Sequence, residues 1–266
     1  MIKSYCKINL FLKVLKKNNN RLHNIQSSTM LLDLHDKIII KNTKNKNDEI
    51  NFIGKFKKKV NSKNNSMTKS LYLLRKHGFI SKRNKYKITV NKKIPVFGGL
   101  GGGTGNAVFL VKYFLNKRIN ERLFKIFDKE IGSDFRLFFF KHSFQKSLTK
   151  ILSFKKNFTF YFILVYPDIN CSTKQIYSKV KKFNFLLKKD LSKIQSKNEY
   201  LQFLKDETND LQGIVEKKYP NIKKILDLIK IQKKCLFSRI TGSGSVCFGA
   251  FPNQKSATLS LRVIKK

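Results

Sequence analysis

Apolar and polar residues alternate through residues 2–15, starting Ile2-Lys3-Ser4-Tyr5-Cys6-Lys7-Ile8-Asn9-Leu10, and again through residues 26–41. A period of two puts successive side chains on opposite faces, so both runs predict strands, joined by the polar turn at residues 16–21. A brief strand is expected at residues 49–53. Ser66 then caps a helix through His77, with Leu71, Leu73 and Leu74 inward. Residues 86–90 alternate as a further strand, which feeds Pro95 and a glycine run. Residues 106–115 are apolar almost all round and too long for an ordinary strand, which predicts a buried helix. Leu123, Phe124 and Phe127 have helical spacing within residues 121–131, and Gly132 ends that helix.

The pattern changes at residues 158–166, a nearly continuous aromatic and aliphatic run of the kind that forms a buried strand. We take it to open a second domain, dividing the chain into residues 1–153 and 154–266. Helices are expected at residues 174–181, 199–204, 208–218 and 222–230. A strand at 238–240 then enters the glycine turn Thr241-Gly242-Ser243-Gly244-Ser245 and leaves as a strand at 246–251. Strands and helices are mixed throughout, so the fold class is α/β in two domains, an α+β arrangement. There is no internal repeat, and the Lys- and Asn-rich stretches at 42–49 and 54–65 read as solvated loops.

Composition changes this picture little. The chain has 266 residues, 41% of them hydrophobic, and no uncharged apolar stretch long enough for a membrane helix. No secretory leader is apparent at the N-terminus, and the expected location is the cytoplasm. Cys6, Cys171, Cys235 and Cys247 are widely spaced, which fits free and mostly buried thiols. The formal charge of +41 suggests a polyanionic partner at face value. Lysine, however, is dispersed along the chain with abundant Asn, Ile and Phe, residues that share A/T-rich codons. Nucleotide bias accounts for that composition without nucleic-acid binding, and the charge would still draw an anionic nucleotide towards the protein.

The strongest chemical signal is Pro95-Val96-Phe97-Gly98-Gly99-Leu100-Gly101-Gly102-Gly103-Thr104-Gly105-Asn106. Glycine lets backbone N–H groups approach a phosphate, and a helix start adds unpaired donors and the positive end of its dipole. The run is not a Walker A sequence, lacks the dinucleotide G-x-G-x-x-G spacing, and is unaccompanied by protein-kinase signatures. Phosphate binding by Pro95, Val96, Phe97, Gly98, Gly99, Leu100, Gly101, Gly102, Gly103, Thr104 and Gly105 is the expectation.

This run resembles the central motif of the small-molecule kinases named for galactokinase, homoserine kinase, mevalonate kinase and phosphomevalonate kinase. Within that superfamily the chain is most similar to the 4-diphosphocytidyl-2-C-methyl-D-erythritol kinases of non-mevalonate isoprenoid synthesis. Cys6-Lys7-Ile8-Asn9-Leu10-Phe11-Leu12 resembles that family's A-K-[IL]-N-L-x-L. Leu22-His23 with Ile25-Gln26-Ser27 resembles its Y-H-x-[IL]-x-[ST]. Gly132-Ser133-Asp134 is similar to G-A-D-V-P, and the segment from Ser238 to Ser245 is similar to its S-G-S-G-[ST] terminus.

The resemblance implies an N-terminal ribosomal-protein-S5-like domain and a C-terminal ferredoxin-like domain, with the active site in the cleft between them. It implies ATP as donor, Mg²⁺ as cofactor with Thr104 as a metal ligand, and a small-molecule cytidine diphosphate substrate phosphorylated on its 2-hydroxyl. Asp134 matches the catalytic aspartate, able to orient a hydroxyl and accept its proton, and Lys7 the catalytic lysine. Asn9, on the same strand face as Lys7 by period-two geometry, would bind substrate. His23 matches the residue that contacts cytosine and Tyr177 the aromatic that stacks on it. Thr241, Gly242 and Ser243 would close over the substrate phosphates, and Asn65 is a candidate for the adenine. A monomer or weak homodimer, with no nucleic-acid or membrane partner, is expected.

The chain departs from the family pattern at Leu22, where a tyrosine is usual, and at Gly105, where a second hydroxyl is usual. Phe135-Arg136 replaces Val-Pro, bringing a guanidinium expected near the phosphates, and residues 141–147 lack the G-x-G-E stretch. The alternatives are another kinase of the superfamily, a catalytically degenerate relative, or a basic nucleic-acid-binding protein, which would show a steep salt dependence.

Overall fold

The expected alternation at the N-terminus appears as β1, Ile2–Lys17, and the second run as β2, His23–Thr43. The computed structural model describes residues 1–17, 23–116 and 119–265. Residues 18–21 of the expected turn, and Leu22, lie outside the described residues. Strands β3 (Glu49–Ile53) and β4 (Lys85–Asn91) follow, with β5 (His142–Gln145) and β6 (Ile151–Ser153), two strands with no signal in the sequence. These six make one sheet in the order β3-β4-β2-β5-β6, with β1 also paired to β2. Because β2 is 21 residues long, one half pairs with β4 (Lys37 opposite Asn91) and the other with β5 (Ser27 opposite Gln145). A second sheet of three antiparallel strands has the order β7-β9-β8, from Tyr161–Val165, Phe237–Ile240 and Cys247–Phe251 numbered in chain order.

Eight α-helices complete the described residues: α1 Ser66–Lys76, α2 Gly102–Leu115, α3 Glu121–Ile131, α4 Thr173–Tyr177, α5 Lys197–Asp206, α6 Gln212–Lys218, α7 Pro220–Lys230 and α8 Gln254–Ile264. Ser66 is the first residue of α1 and not its cap. Asn65 caps it, accepting from the Met67 and Thr68 N–H groups while Thr68 Oγ1 accepts from the Asn65 N–H, a reciprocal capping box. The same amide donates to the Asn61 and Ser62 carbonyls, so the side chain proposed for adenine is engaged in holding α1 and the loop before it. Helix α4 is shorter than the periodicity predicts and α6 starts later, while α8 was not expected. All four cysteines are free thiols, three of them buried. Among the described residues no helix is long and apolar enough to cross a membrane.

Contacts divide the chain into two compact units that interleave in sequence: residues 1–7, 31–96 and 101–140, and residues 8–30, 97–100 and 141–266. The first packs α1, α2 and α3 against β4 through Leu71, Leu74, Val108, Val111, Phe127, Phe135, Phe138, Ile88 and Val90. In the second, Leu12, Val14 and Ile25 pack with Ile176, Val215, Ile222, Ile229, Ile240 and Cys247.

The second unit also buries His142. Its ring stacks on Phe154 with centroids 3.6 Å apart, and Nε2 lies 2.9 Å from the Tyr200 hydroxyl and 3.2 Å from Ser28 Oγ. Burial pushes the imidazole from 6.5 down to about 3, so the folded protein keeps it neutral where an unfolded chain takes up a proton. The stability this neutrality contributes is complete above pH 6.5 and is lost as pH falls towards 3. Urea unfolding of the wild type should therefore weaken across that window, and His142→Gln should flatten the dependence. Parallel curves for the two proteins would show that other groups set the acid limit.

Candidate active site

Strand β1 and the turn after α3 bring the two expected catalytic residues together in the first unit. Lys7 is nearly buried, with Nζ 3.1 Å from Asp134 Oδ2, while the Asp134 carboxylate stays 35% exposed. Asp134 holds the N-cap position of the 3-10 helix Phe135–Phe139 but makes no side-chain cap bond there. Its carboxylate is thus directed to the lysine, and its exposed edge is open to a substrate hydroxyl.

The glycine run meets this pair. Helix α2 begins at Gly102, four residues earlier than expected, so Gly102, Gly103 and Thr104 form its first turn. The N–H groups of a first turn have no intrahelical acceptor, and Gly101 at the N-cap has no side chain to satisfy them. Donors at the positive end of a 14-residue helix are thereby left for an anion. Gly101 is left-handed at φ 66, and a Cβ there would lie 2.8 Å from the Phe138 ring and 3.3 Å from Lys7 Cε. Only glycine lets the loop come this close to Lys7. The Ser66 hydroxyl donates to the Gly103 carbonyl at 2.7 Å, tying the start of α1 to the loop.

Gly105 occupies the position where a hydroxyl was expected, and packing accounts for it. A Cβ would meet the Tyr5 carbonyl and Phe138 Cε1 at 3.0 Å and Ser4 Oγ at 3.4 Å. Thr104, half-buried in the same turn, is the hydroxyl of the pair that remains.

Arg136, expected near the phosphates, is engaged by carboxylates of α3. It is buried against α3, with Nε 2.5 Å from Asp128 and Nη1 2.9 Å from Glu121, and it lies over the Phe124 ring. Two carboxylates and an aromatic face capture the guanidinium, and Asp134 pairs with Lys7.

A buried ionic cluster that the sequence does not announce lies under the loop. Asp36 Oδ1 accepts from the backbone N–H groups of Lys93 (2.7 Å) and Ile94 (2.9 Å), while Oδ2 accepts from Lys92 Nζ and from Asn106 Nδ2 (3.0 Å). Lys92 Nζ also donates to Asn106 Oδ1 at 2.9 Å. Burial pushes the Lys92 ammonium down, opposed by the Asp36 charge. The cluster clamps the segment entering Pro95 to the first two turns of α2. Its one trace in the sequence is that Lys92 continues the inward alternation of Ile88 and Val90, a signal hidden among so many lysines.

In the second unit, Asn9 and the Thr241 turn come together. The Asn9 N–H donates to Thr241 Oγ1 at 3.0 Å, its amide donates to Ser27 Oγ at 2.8 Å, and the Thr241 hydroxyl lies 3.3 Å from the Gly99 carbonyl. A Cβ at Gly99, itself left-handed at φ 76, would fall 2.1 Å from the Thr241 carbonyl. Asn209, unforeseen in the sequence, holds the turn by donating to the Ile240 and Gly242 carbonyls at 3.0 and 2.8 Å. Ser243 is engaged with Thr173 Oγ1 at 3.0 Å. His23 and Tyr177 have ring centroids 5.1 Å apart, so these two expected base-binding residues are neighbours. Of the remaining loop residues, Pro95 and Val96 are half-buried and Phe97 is exposed.

Comparison with known proteins follows the same lines. A family model described as "GHMP kinases C terminal" matches residues 185–265. The 4-diphosphocytidyl-2-C-methyl-D-erythritol kinase of Pelagibacter ubique (strain HTCC1062) is 37% identical over 96% of this chain and 90% of its own. The chain belongs to this kinase family. Proteins of the same name from Buchnera aphidicola (subsp. Schizaphis graminum, strain Sg) and Wolbachia pipientis wMel are 32% and 30% identical, each over 96% of the chain and over 85% and 92% of their own lengths. A crystal structure of 4-(cytidine 5'-diphospho)-2C-methyl-D-erythritol kinase superposes with a TM-score of 0.74 at 17% identity, covering 99% of this chain and 94% of that one. A mevalonate kinase crystal structure gives 0.68, also at 17% identity, over 99% and 95%. The fold is accordingly the mixed α/β, two-domain GHMP kinase fold, and the chain is an ATP-dependent small-molecule kinase.

Proposed function

We propose that the protein transfers the γ-phosphoryl group of MgATP to the 2-hydroxyl of 4-diphosphocytidyl-2-C-methyl-D-erythritol. The observation that carries the reading is the Lys7–Asp134 ion pair, 3.1 Å long, beside the glycine-rich start of α2. The hydroxyl is oriented by Asp134, which takes its proton as the new P–O bond forms and the bond to the ADP oxygen breaks. Lys7 balances charge on the forming alkoxide and the transferring phosphoryl oxygens, and its burial makes that charge more effective than in water. The first-turn N–H groups of α2 hold the phosphates. Oxygen donors are what Mg²⁺ prefers, and the Thr104 hydroxyl would supply one. When bound, the ion neutralises phosphate charge.

In this reading residues 1–153 carry the phosphate loop and residues 154–266 the substrate and lid functions. Asn9 with Thr241, Gly242 and Ser243 holds the substrate phosphates, and His23 with Tyr177 holds the cytosine. The enzyme works in the cytoplasm as a monomer or weak homodimer, without nucleic acid. A coupled assay of ADP release tests it: with MgATP, turnover is expected with the cytidyl alcohol and not with mevalonate or homoserine. Faster turnover of an alcohol lacking cytidine diphosphate would overturn the assignment.

A further inference from the structure

Phe183 lies in a stretch with no regular secondary structure, yet backbone bonds fix its position. The N–H of the next residue, Asn184, donates to the Val14 carbonyl at 2.8 Å, and the Leu187 N–H donates to Gln26 Oε1 at 2.7 Å. The Gln26 amide returns a bond to the Leu187 carbonyl at 3.2 Å. These anchors place the Phe183 ring 6.3 Å from the His23 ring, with 32° between their planes. His23 therefore has an aromatic neighbour in both Tyr177 and Phe183. Phe183 is 46% exposed, an apolar ring left in water at the rim of an otherwise part-buried cluster.

We propose that Phe183 is a substrate-binding residue whose ring stacks on the pyrimidine base of the substrate. The proposal rests on the cytidyl reading above. Leu22 stands where the family pattern has an aromatic ring, so a stacking surface is missing from the chain segment next to His23. Phe183 returns a π-face to the same histidine from a distant part of the sequence. A flat, uncharged base covers such a face well and removes it from water, and stacking tolerates any substituent pattern, leaving hydrogen bonding at His23 to choose the base. Phe185, two residues on and 90% exposed, has no ring contact with His23 and is the natural control.

Two measurements test the assignment, calorimetric binding of CDP and steady-state kinetics with the cytidyl alcohol. Phe183→Ala should weaken CDP binding and raise KM for the alcohol by roughly tenfold, the effect of losing one stacked base contact. The KM for ATP and kcat should stay near wild type, Phe183→Tyr should restore both values, and Phe185→Ala should change neither. If the wild type binds CDP and Phe183→Ala binds it equally well, the role of Phe183 is overturned while the cytidyl reading stands. If the wild type binds no CDP and does not turn over the alcohol, both fall together.

Discussion

Asp134→Asn should lower kcat by about 10²- to 10⁴-fold, the range expected when a positioned general base is removed. Asparagine keeps the size of the side chain and an oxygen that accepts from Lys7, so the 3-10 helix that follows it stays in place. What is lost is the ability to take the hydroxyl proton and the negative charge facing the lysine. The ATP dissociation constant, which the proposed reading assigns to the first turn of α2, should hold within about threefold, a ΔΔG under roughly 0.7 kcal/mol. Lys7→Met should also reduce kcat strongly. Because the two side chains act as a unit, the double variant should be little worse than the weaker single one. Turnover near wild type in Asp134→Asn would remove Asp134 from the chemistry. Additive losses in the double variant would argue that the 3.1 Å contact has no catalytic meaning.

Asp36→Ala should be the most destabilising of these substitutions, by about 3–5 kcal/mol, because it leaves the buried Lys92 ammonium without its counter-charge and strands two backbone N–H groups. For a protein of this size that corresponds to a fall in Tm of about 10 °C. Lys92→Met should be costly for the mirror reason, since Asp36 keeps only its backbone and Asn106 donors. The pair Asp36→Leu with Lys92→Met separates charge from shape: removing both ions should recover part of the stability, as apolar replacements of buried ion pairs do. The recovered protein should still bind ATP poorly, because the clamp on the Pro95 segment is gone. An Asp36→Ala protein with an unchanged Tm would show that the cluster does not hold the loop.

The glycine run illustrates how far local pattern reaches. Six glycines between Gly98 and Gly105, ahead of an apolar stretch, announced a helix start, and α2 begins within that run. Its first turn lies four residues earlier than expected because glycine is a poor helix former, a bias overruled where Gly102 and Gly105 must pack closely against Ile94, Phe138 and the Tyr5 carbonyl. Arg136 shows the opposite case. Its proximity in sequence to Asp134 suggested proximity to the phosphates, but Asp128 and Glu121 on α3 offered it better partners. Strands β5 and β6 gave no signal because His142, Ser143 and Gln145 are polar residues buried in a hydrogen-bonded sheet, against the usual apolar pattern.

By itself the sequence determined which segments alternate with a period of two or recur at helical spacing, where glycine and helix start combine, and the order of the motifs that carry Lys7, His23, Asp134 and Thr241. These are properties of neighbouring residues, and the backbone's two periodicities transmit them directly. Only the tertiary structure decided that Lys7 reaches Asp134, that Asp36 takes Lys92 from among the chain's many lysines, and that Phe183 joins His23. Each such pairing depends on strand register and on which side chains are desolvated together. Neither quantity is set by local sequence where one residue type, lysine, fills so many positions.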